Sequence, residues 1–290
     1  MATPPPPPLS PAARLPTELV EIICDELAVL RTIVAGAGPL RPIVPLKRND
    51  LRACALVFRQ WRGPAQTALY RSLYLAERVE CDALWRTFCE SPHLVKIPRT
   101  LVILIGIGEV DDTLWNLGSS LQHQVLPWLL KQCKFFERLS VYFEWSSHSI
   151  ELVRAITGHA HLREVVFENG PFKSNSWVAD VLPQLPSSVR VLGVEDSLAK
   201  IESILTLPPS VKHFAFRCDE VYSATDTLAR LCGLLEADSR RLHFRRFSLY
   251  LDKPHKADEP TVLDLIGRAQ AGLAKRGVAF QCYTGGWSKS

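Results

Sequence analysis

The sequence predicts an α/β protein: a short three-helix module followed by an irregular right-handed α/β solenoid. Two observations carry this reading. A strand pattern of the form apolar-x-x-apolar-x-apolar recurs from residue 70 onward, with helical stretches between its instances. Ahead of it, apolar residues fall at helical spacing without strand alternation. The chain has 290 residues, 47% of them hydrophobic and 22% charged, which exceeds the length one compact core usually takes.

The first segment, residues 1–13, reads as a disordered Pro-rich tail. Pro4 to Pro8 are consecutive, which suits polyproline II and cannot serve as the apolar core of a secretion signal. A solvated tail and a ligand for a proline-binding domain both remain open for it. The next unit, residues 14–69, is the helical module, with an inserted loop at about 31–48. Pro16 suits the first turn of a helix, where its missing N–H would be unpaired anyway. Leu19, Ile22, Ile23, Leu27 and Leu30 then recur at helical spacing, which predicts an amphipathic helix over about 16–31. Gly36, Gly38, Pro39, Pro42 and Pro45 forbid its continuation. Asn49-Asp50 are good N-caps for a second helix, in which Leu51, Cys54, Ala55, Phe58 and Arg62 share a stripe while Leu56, Val57 and Trp61 point elsewhere. Gly63-Pro64 is expected to end it and to start a short third helix through Ala65, Ala68 and Leu69. Helices this short and apolar on several faces must pack on the rest of the chain or dock onto another protein.

The segments "LPTELVEIICDEL" and "DLRACALVFRQWRGPAQTALYRSLYL" closely resemble the F-box, in particular that of fungal F-box proteins. The resemblance covers roughly residues 14–75. Leu-Pro, an acidic residue and Leu, Ile-Ile, and then L-x-x-C-x-x-V-x-x-x-W make a specific combination. In that family the module is a three-helix docking unit that binds a Skp-family adaptor, which links it to a cullin-based ubiquitin ligase. Carried over, the resemblance implies docking through Leu15, Pro16, Leu19, Ile22 and Ile23, and through Leu51, Cys54, Val57 and Trp61. The stretch from about Arg31 to Lys47 is longer than the family's usual link. Its closure costs little entropy, and it leaves open whether the adaptor's approach is obstructed.

Residues 70–290 hold the recurring strand pattern. Its instances are Tyr70-x-x-Leu73-x-Leu75, Phe136-x-x-Leu139-x-Val141, Leu162-x-x-Val165-x-Phe167, Val189-x-x-Leu192-x-Val194, Val211-x-x-Phe214-x-Phe216 and Phe244-x-x-Phe247-x-Leu249. Thr100 to Ile105 and Val278 to Tyr283 fit more loosely. Alternation within each instance marks a strand with one buried face. Helical stretches intervene, among them those around Trp128-Leu129, Val153-Ile156, Val181-Leu182, Ile204-Leu205, Leu228-Leu231 and Leu265-Ile266. Units with one apolar strand face and one apolar helix face must stack to bury both. The pattern resembles the leucine-rich repeat, except that the Asn expected after the strand is replaced by Glu144, Gly170, Ser197, Asp219 and Asp252. A doubly wound sheet is the competing fold, but no Gly-rich phosphate loop follows the first strand.

If the strand residues between the apolar pairs face a partner, they include Ser140, Tyr142, Glu164, Val166, Glu195, His213, Ala215, Arg246 and Ser248, with the parity set by register. The loops beyond the strands supply further candidates. Tyr142, Trp145, Phe172, Tyr222 and His255 are the residues expected to bind a target, because aromatic and charged side chains suit protein recognition. The alternative is a solvated loop with chance aromatics.

Chemistry is sparse. No nucleophile elbow, phosphate loop or zinc-protease motif is present, so no catalytic residue, cofactor or metal ligand is assigned and the chain is not expected to be an enzyme. His159-x-His161 has only Glu164 as a nearby third ligand and reads as a turn before a strand. Gly106 and Gly108 lack the third glycine of a dinucleotide fingerprint. The cysteines form no C-x-x-C pair and read as reduced thiols of a nuclear or cytoplasmic protein. No run reaches the ~20 apolar residues that cross a bilayer, so no membrane partner is expected. Net charge is +4. The basic cluster Arg240 to Arg246 is interrupted by apolar residues and lacks a stacking platform, so it argues against nucleic acid and for a solvated rim or an acidic partner. The expected function is a substrate-recruiting subunit of a Skp–cullin–F-box ubiquitin ligase in the ubiquitin-like conjugation pathway. A non-ligase interaction scaffold, and an enzyme whose site is assembled from the loops, are the alternatives.

Overall fold

The structure is a computed structural model and describes residues 15–29, 49–57, 59–75, 78–104, 126–143, 150–169, 181–195, 201–218, 224–237, 242–251 and 259–284. In chain order its elements are α1 (Thr17–Val29), α2 (Asn49–Val57), α3 (Arg59–Arg71), β1 (Ser72–Leu75), α4 (Arg78–Glu90), β2 (Thr100–Leu104), α5 (Leu126–Gln132), β3 (Arg138–Phe143), α6 (Ile150–Thr157), β4 (Glu164–Asn169), β5 (Val191–Glu195), β6 (His213–Cys218), α7 (Ala224–Ala237), β7 (Arg246–Leu251), α8 (Glu259–Ala274) and β8 (Ala279–Thr284). Short 3-10 turns occupy Pro92–Lys96, Leu182–Gln184 and Ile201–Thr206. The last stands where periodicity predicts a longer helix; at the other, Val181 is α-helical up to the turn, and the rest of the expected stretch lies outside the described residues. Pro208 and Pro209 closely follow the Ile201–Thr206 turn, and Pro183 lies within the Leu182–Gln184 turn; proline cannot continue an α-helix.

The chain is an α/β protein with one eight-stranded sheet, in which β1 to β8 lie side by side in chain order. Every neighbouring pair is parallel. Parallel neighbours need a crossover, and helices or 3-10 turns provide the ones described. A doubly wound sheet reverses its strand order at a switch point; here the order runs one way throughout.

Register accounts for the sequence pattern. Leu73, Leu101, Leu139, Val165, Leu192, Phe214, Phe247 and Phe280 stand in one row across the sheet, and Leu75, Ile103, Val141, Phe167, Val194, Phe216, Leu249 and Cys282 in another. All are buried except Phe280 and Cys282 on the edge strand, which are half-buried. Burial of each such side chain contributes about 1.5–3 kcal/mol. Phe247 stacks between Phe214 and Phe280 with ring centroids 5.7 Å apart on either side. Phe88, Leu129, Ile156, Leu228 and Leu265, one from each of α4 to α8, join the same core. The helices therefore cover this strand parity.

The opposite parity is not the open surface the alternation suggests. Its middle row is buried between the two edge strands: Val102, Ser140, Val166, Ala215 and Ser248 are 5%, 9%, 0%, 0% and 0% exposed, whereas Tyr74 is half-buried and Gln281 exposed. Glu195 and Tyr250 are buried as well. Small side chains on a pleated sheet lie below the longer ones two positions before and after them. Those longer ones meet across strands: Arg138 pairs with Glu164 at 3.2 Å, and Tyr250 stacks on Tyr283 at 4.7 Å.

The helical module also departs from expectation at one boundary. α2 ends at Val57, and α3 runs from Arg59 through Gly63 and Pro64 to Arg71 without a break. Pro64 costs the helix one hydrogen bond, to the carbonyl of Gln60. Burial of Ala65 and Ala68 against α1 and α2 holds the helix together regardless. Tertiary packing overrides the local breaker signal.

A further regularity marks the edge at which the strands begin. The turns that return the chain present backbone carbonyls there, and basic side chains donate to them. Arg99 Nη1 donates to the carbonyls of Lys96, Ile97 and Pro98 at 2.8, 3.2 and 3.1 Å. Arg190 Nη1 donates to Ser187 and Ser210, both at 3.1 Å, and Lys212 Nζ to Pro209 at 2.8 Å. α8 ends in a Schellman motif: Val278 N–H donates to the Leu273 carbonyl at 3.0 Å and Gly277 N–H to that of Ala274 at 2.9 Å. Gly277 occupies the left-handed position with φ of 72°, as that motif requires.

Candidate docking surface

α1 is apolar on two faces, and the described chain uses one of them. Val20 and Cys24 have no exposed surface. With Leu51 of α2 and Ala65 and Ala68 of α3 they form a small second core, against which Leu27 and Ala28 also pack. Displaced around the helix, Leu19, Ile22 and Ile23 remain 46%, 57% and 37% exposed. The stripe expected from spacing thus divides: Leu27 turns inward, Leu19, Ile22 and Ile23 stay outside, and Leu30 lies outside the described residues.

The module is fixed where α1 begins and where α3 ends. The carbonyl of Pro16 accepts the N–H groups of Leu19 and Val20 at 3.1 and 3.2 Å, which starts α1 at the residue that cannot donate. Gln60 Nε2 donates to the Leu15 carbonyl at 2.5 Å. Arg71 Nη1 meets Asp25 Oδ1 at 3.0 Å, with both side chains about half exposed, so the pair orients more than it stabilises, at about 0–1 kcal/mol.

The residues carried over from the F-box resemblance fall into three groups. Pro16, Leu19, Ile22 and Ile23 are exposed. Leu15, Cys54 and Trp61 are half-buried and pack against the small core. Leu51 is 4% exposed and belongs to the small core itself, so it helps hold the module together. Trp61 is corrected in position, since it belongs to α3 and not to the second helix. The side chain of Val57 lies outside the described residues. Leu56, 85% exposed, is missing from the sequence-based set. Its position was readable, because it lies opposite the Leu51, Cys54 and Ala55 stripe of α2.

Of the expected target-binding residues, Tyr142 lies in β3, opposite Leu104 and Glu168, with its side chain outside the described residues. Trp145, Phe172, Tyr222 and His255 lie outside them altogether, as do residues 1–13.

Titratable groups show burial, not activation. Desolvation pushes the thiols of Cys24 and Cys282 up to about 11 and those of Cys81 and Cys133 up to about 12. Such thiols stay protonated at neutral pH and are poor nucleophiles and ligands. Among the described residues no cysteine is in a disulfide, and no group of three metal-ligating side chains converges. His159 is 4% exposed, with Nε2 3.1 Å from the Cys133 carbonyl; burial lowers its pKa. His161 is exposed and lies 5.4 Å from the ring of Phe135. The H-x-H pair therefore splits between core and surface, in the turn before β4. Among the described residues no helix is long and apolar enough to cross a membrane.

Searches against family models and against curated proteins return no match for the chain.

Proposed function

We propose that this protein is a substrate-recruiting adaptor of a Skp–cullin–F-box ubiquitin ligase. In this reading α1 to α3 are an F-box that binds a Skp-family adaptor, and the sheet domain is an irregular, right-handed, leucine-rich-repeat-like solenoid that holds a target protein. The chain-order parallel sheet, with helices on one strand parity, supports the solenoid reading. The observation that carries the docking half is the pair of faces on α1. Its own core takes Val20 and Cys24, and Leu19, Ile22 and Ile23 are left in water. Isolated exposed apolar residues are common, but three on one helix, with Leu56 of α2 also 85% exposed, are the kind of surface a partner covers.

No catalytic group is needed from this chain. Rate is gained by holding target and ubiquitin-charged enzyme together, in the cytoplasm or nucleus. Mixing the purified chain with a purified Skp-family adaptor tests the reading: one co-eluting species on size exclusion supports it. Separate elution at micromolar concentrations refutes it and leaves a scaffold that works outside the ligase.

A further inference from the structure

We infer that the edge of the sheet at which its strands begin binds an extended, acidic protein segment. The residue preceding each of β1 to β7 is basic at every position but one: Arg71, Arg99, Glu137, Arg163, Arg190, Lys212 and Arg245. These residues form one continuous row. The N–H of Arg99 donates to the carbonyl of Arg71 at 2.8 Å, that of Glu137 to Arg99 at 2.7 Å, and that of Arg163 to Glu137 at 2.8 Å. The series continues from Arg190 to Arg163 at 2.7 Å, from Lys212 to Arg190 at 2.8 Å, and from Arg245 to Lys212 at 2.8 Å. Neighbouring rungs are therefore about 4.8 Å apart.

Among the described residues, carboxylates answer the cations in the first half of the row only. Arg71 meets Asp25 at 3.0 Å, Arg99 meets Glu137 at 3.9 Å, and in the adjoining row Arg138 meets Glu164 at 3.2 Å. From β4 onward the row changes character. Arg163, Arg190, Lys212 and Arg245 are exposed, and among the described residues none of them forms an ion pair. Arg246, the first residue of β7, adds another exposed cation. Arg190 and Lys212 are steadied by the backbone carbonyls they cap, which orients their charge without neutralising it. The side chains of Arg163 and Arg245 make no hydrogen bond among the described residues, so capping does not explain their presence.

The occupant follows from these features. The run from β4 to β7 spans about 14 Å, the length of four or five extended residues. Carboxylates along such a segment can reach successive rungs, each pair weak in water and the set additive at low ionic strength. A nucleic acid fits less well. Its bases would need aromatic platforms, and the exposed ring of Phe135 is already engaged by Arg99 at 5.2 Å and His161 at 5.4 Å. Glu137 also interrupts the row where a uniform polyanion would continue.

As a statement of what the sheet domain selects in a target, this rests on the function proposed above, but its test needs no adaptor. A fluorescent peptide of alternating Glu and Ser, about a dozen residues long, is titrated with the full chain at about 0.05 M and about 0.2 M salt. The same peptide with Gln for Glu is the control, and a single-stranded oligonucleotide of equal length is the competitor. The Glu peptide is expected to bind, the Gln peptide not, with affinity falling as salt rises. Arg163→Glu with Arg245→Glu should weaken binding at least about tenfold with an unchanged thermal melt, and the corresponding change to Gln should weaken it less. Absent binding, binding indifferent to both variants, or an oligonucleotide that binds more tightly than the peptide would overturn the inference. None of these results bears on adaptor docking at α1.

Discussion

Ile22 and Cys24 lie two positions apart on α1 and meet opposite surroundings: Ile22 is 57% exposed and Cys24 has no exposed surface. The helix thus serves an internal core and an external face at once. The two roles separate by mutation. Val20→Ala, beside Cys24 in the small core, is expected to destabilise the protein by about 1–3 kcal/mol. Ile22→Ala should change stability by less than about 1 kcal/mol. Urea unfolding followed by circular dichroism distinguishes them, and equal losses would contradict the division of faces.

Phe247 is fully buried between two stacked rings. Phe247→Ala removes contacts to both neighbouring strands and leaves a cavity between them. A loss of about 3–5 kcal/mol is expected, seen as a lower urea midpoint. A change below about 1 kcal/mol would mean that the row is not the sheet's core.

Gly277 follows α8 with φ of 72°, and no heavy atom lies within 4 Å of a Cβ built there. Its replacement by Ala therefore meets conformational cost alone, about 1–2 kcal/mol. Gly277→Asn should recover part of that loss, because Asn tolerates the left-handed region better. Melting temperatures of the two variants check the order.

His213 Nε2 lies 2.8 Å from Ser248 Oγ. Burial, and then the neighbouring Arg246 guanidinium, lower its pKa from 6.5 to about 4. The unfolded chain therefore binds the proton more readily than the folded one. The neutral ring's contribution to stability is present above the unfolded value and is lost as pH falls from about 6.5 towards about 4. His159 shifts in the same direction. Glu164 runs the opposite way: burial raises its pKa against the pull of Arg138, so its contribution is lost as pH rises through the folded value. His213→Gln keeps a hydrogen-bonding side chain and removes the titration. Between pH 7 and pH 4 the wild type should lose roughly 2 kcal/mol more than this variant. Parallel stability curves for the two proteins would contradict the assignment.

Much of the sheet was legible in the sequence because each strand presents two apolar side chains at a spacing of two. From Leu73 and Leu75 to Phe247 and Leu249, those residues are the two buried rows. The opposite parity was not legible. Alternation marks which side chains share a face, but not that small Ser140, Ala215 and Ser248 would be sheltered by longer neighbours. The break between α2 and α3 was misplaced for a related reason. Gly63-Pro64 is a strong local signal, and only the packing of Ala65 and Ala68 on two other helices reveals why it is overridden. At the docking surface, Leu19 and Val20 are neighbours of similar apolarity with opposite fates, and sequence does not rank two apolar stripes on one helix. The row of basic residues ahead of the strands was invisible as a row, because its members are separated by about 22 to 38 residues in the chain and adjoin only through the register.

Adaptor affinity of the pair Leu19→Asp with Ile22→Asp tests the proposed function most directly. Both positions face water, so the variant should keep the wild-type circular dichroism spectrum and melt. Calorimetric titration with a purified Skp-family adaptor should then show binding by the wild type and a loss of at least about a hundredfold, about 2.7 kcal/mol, in the variant. A variant that binds the adaptor as tightly as the wild type would contradict docking through this face of α1.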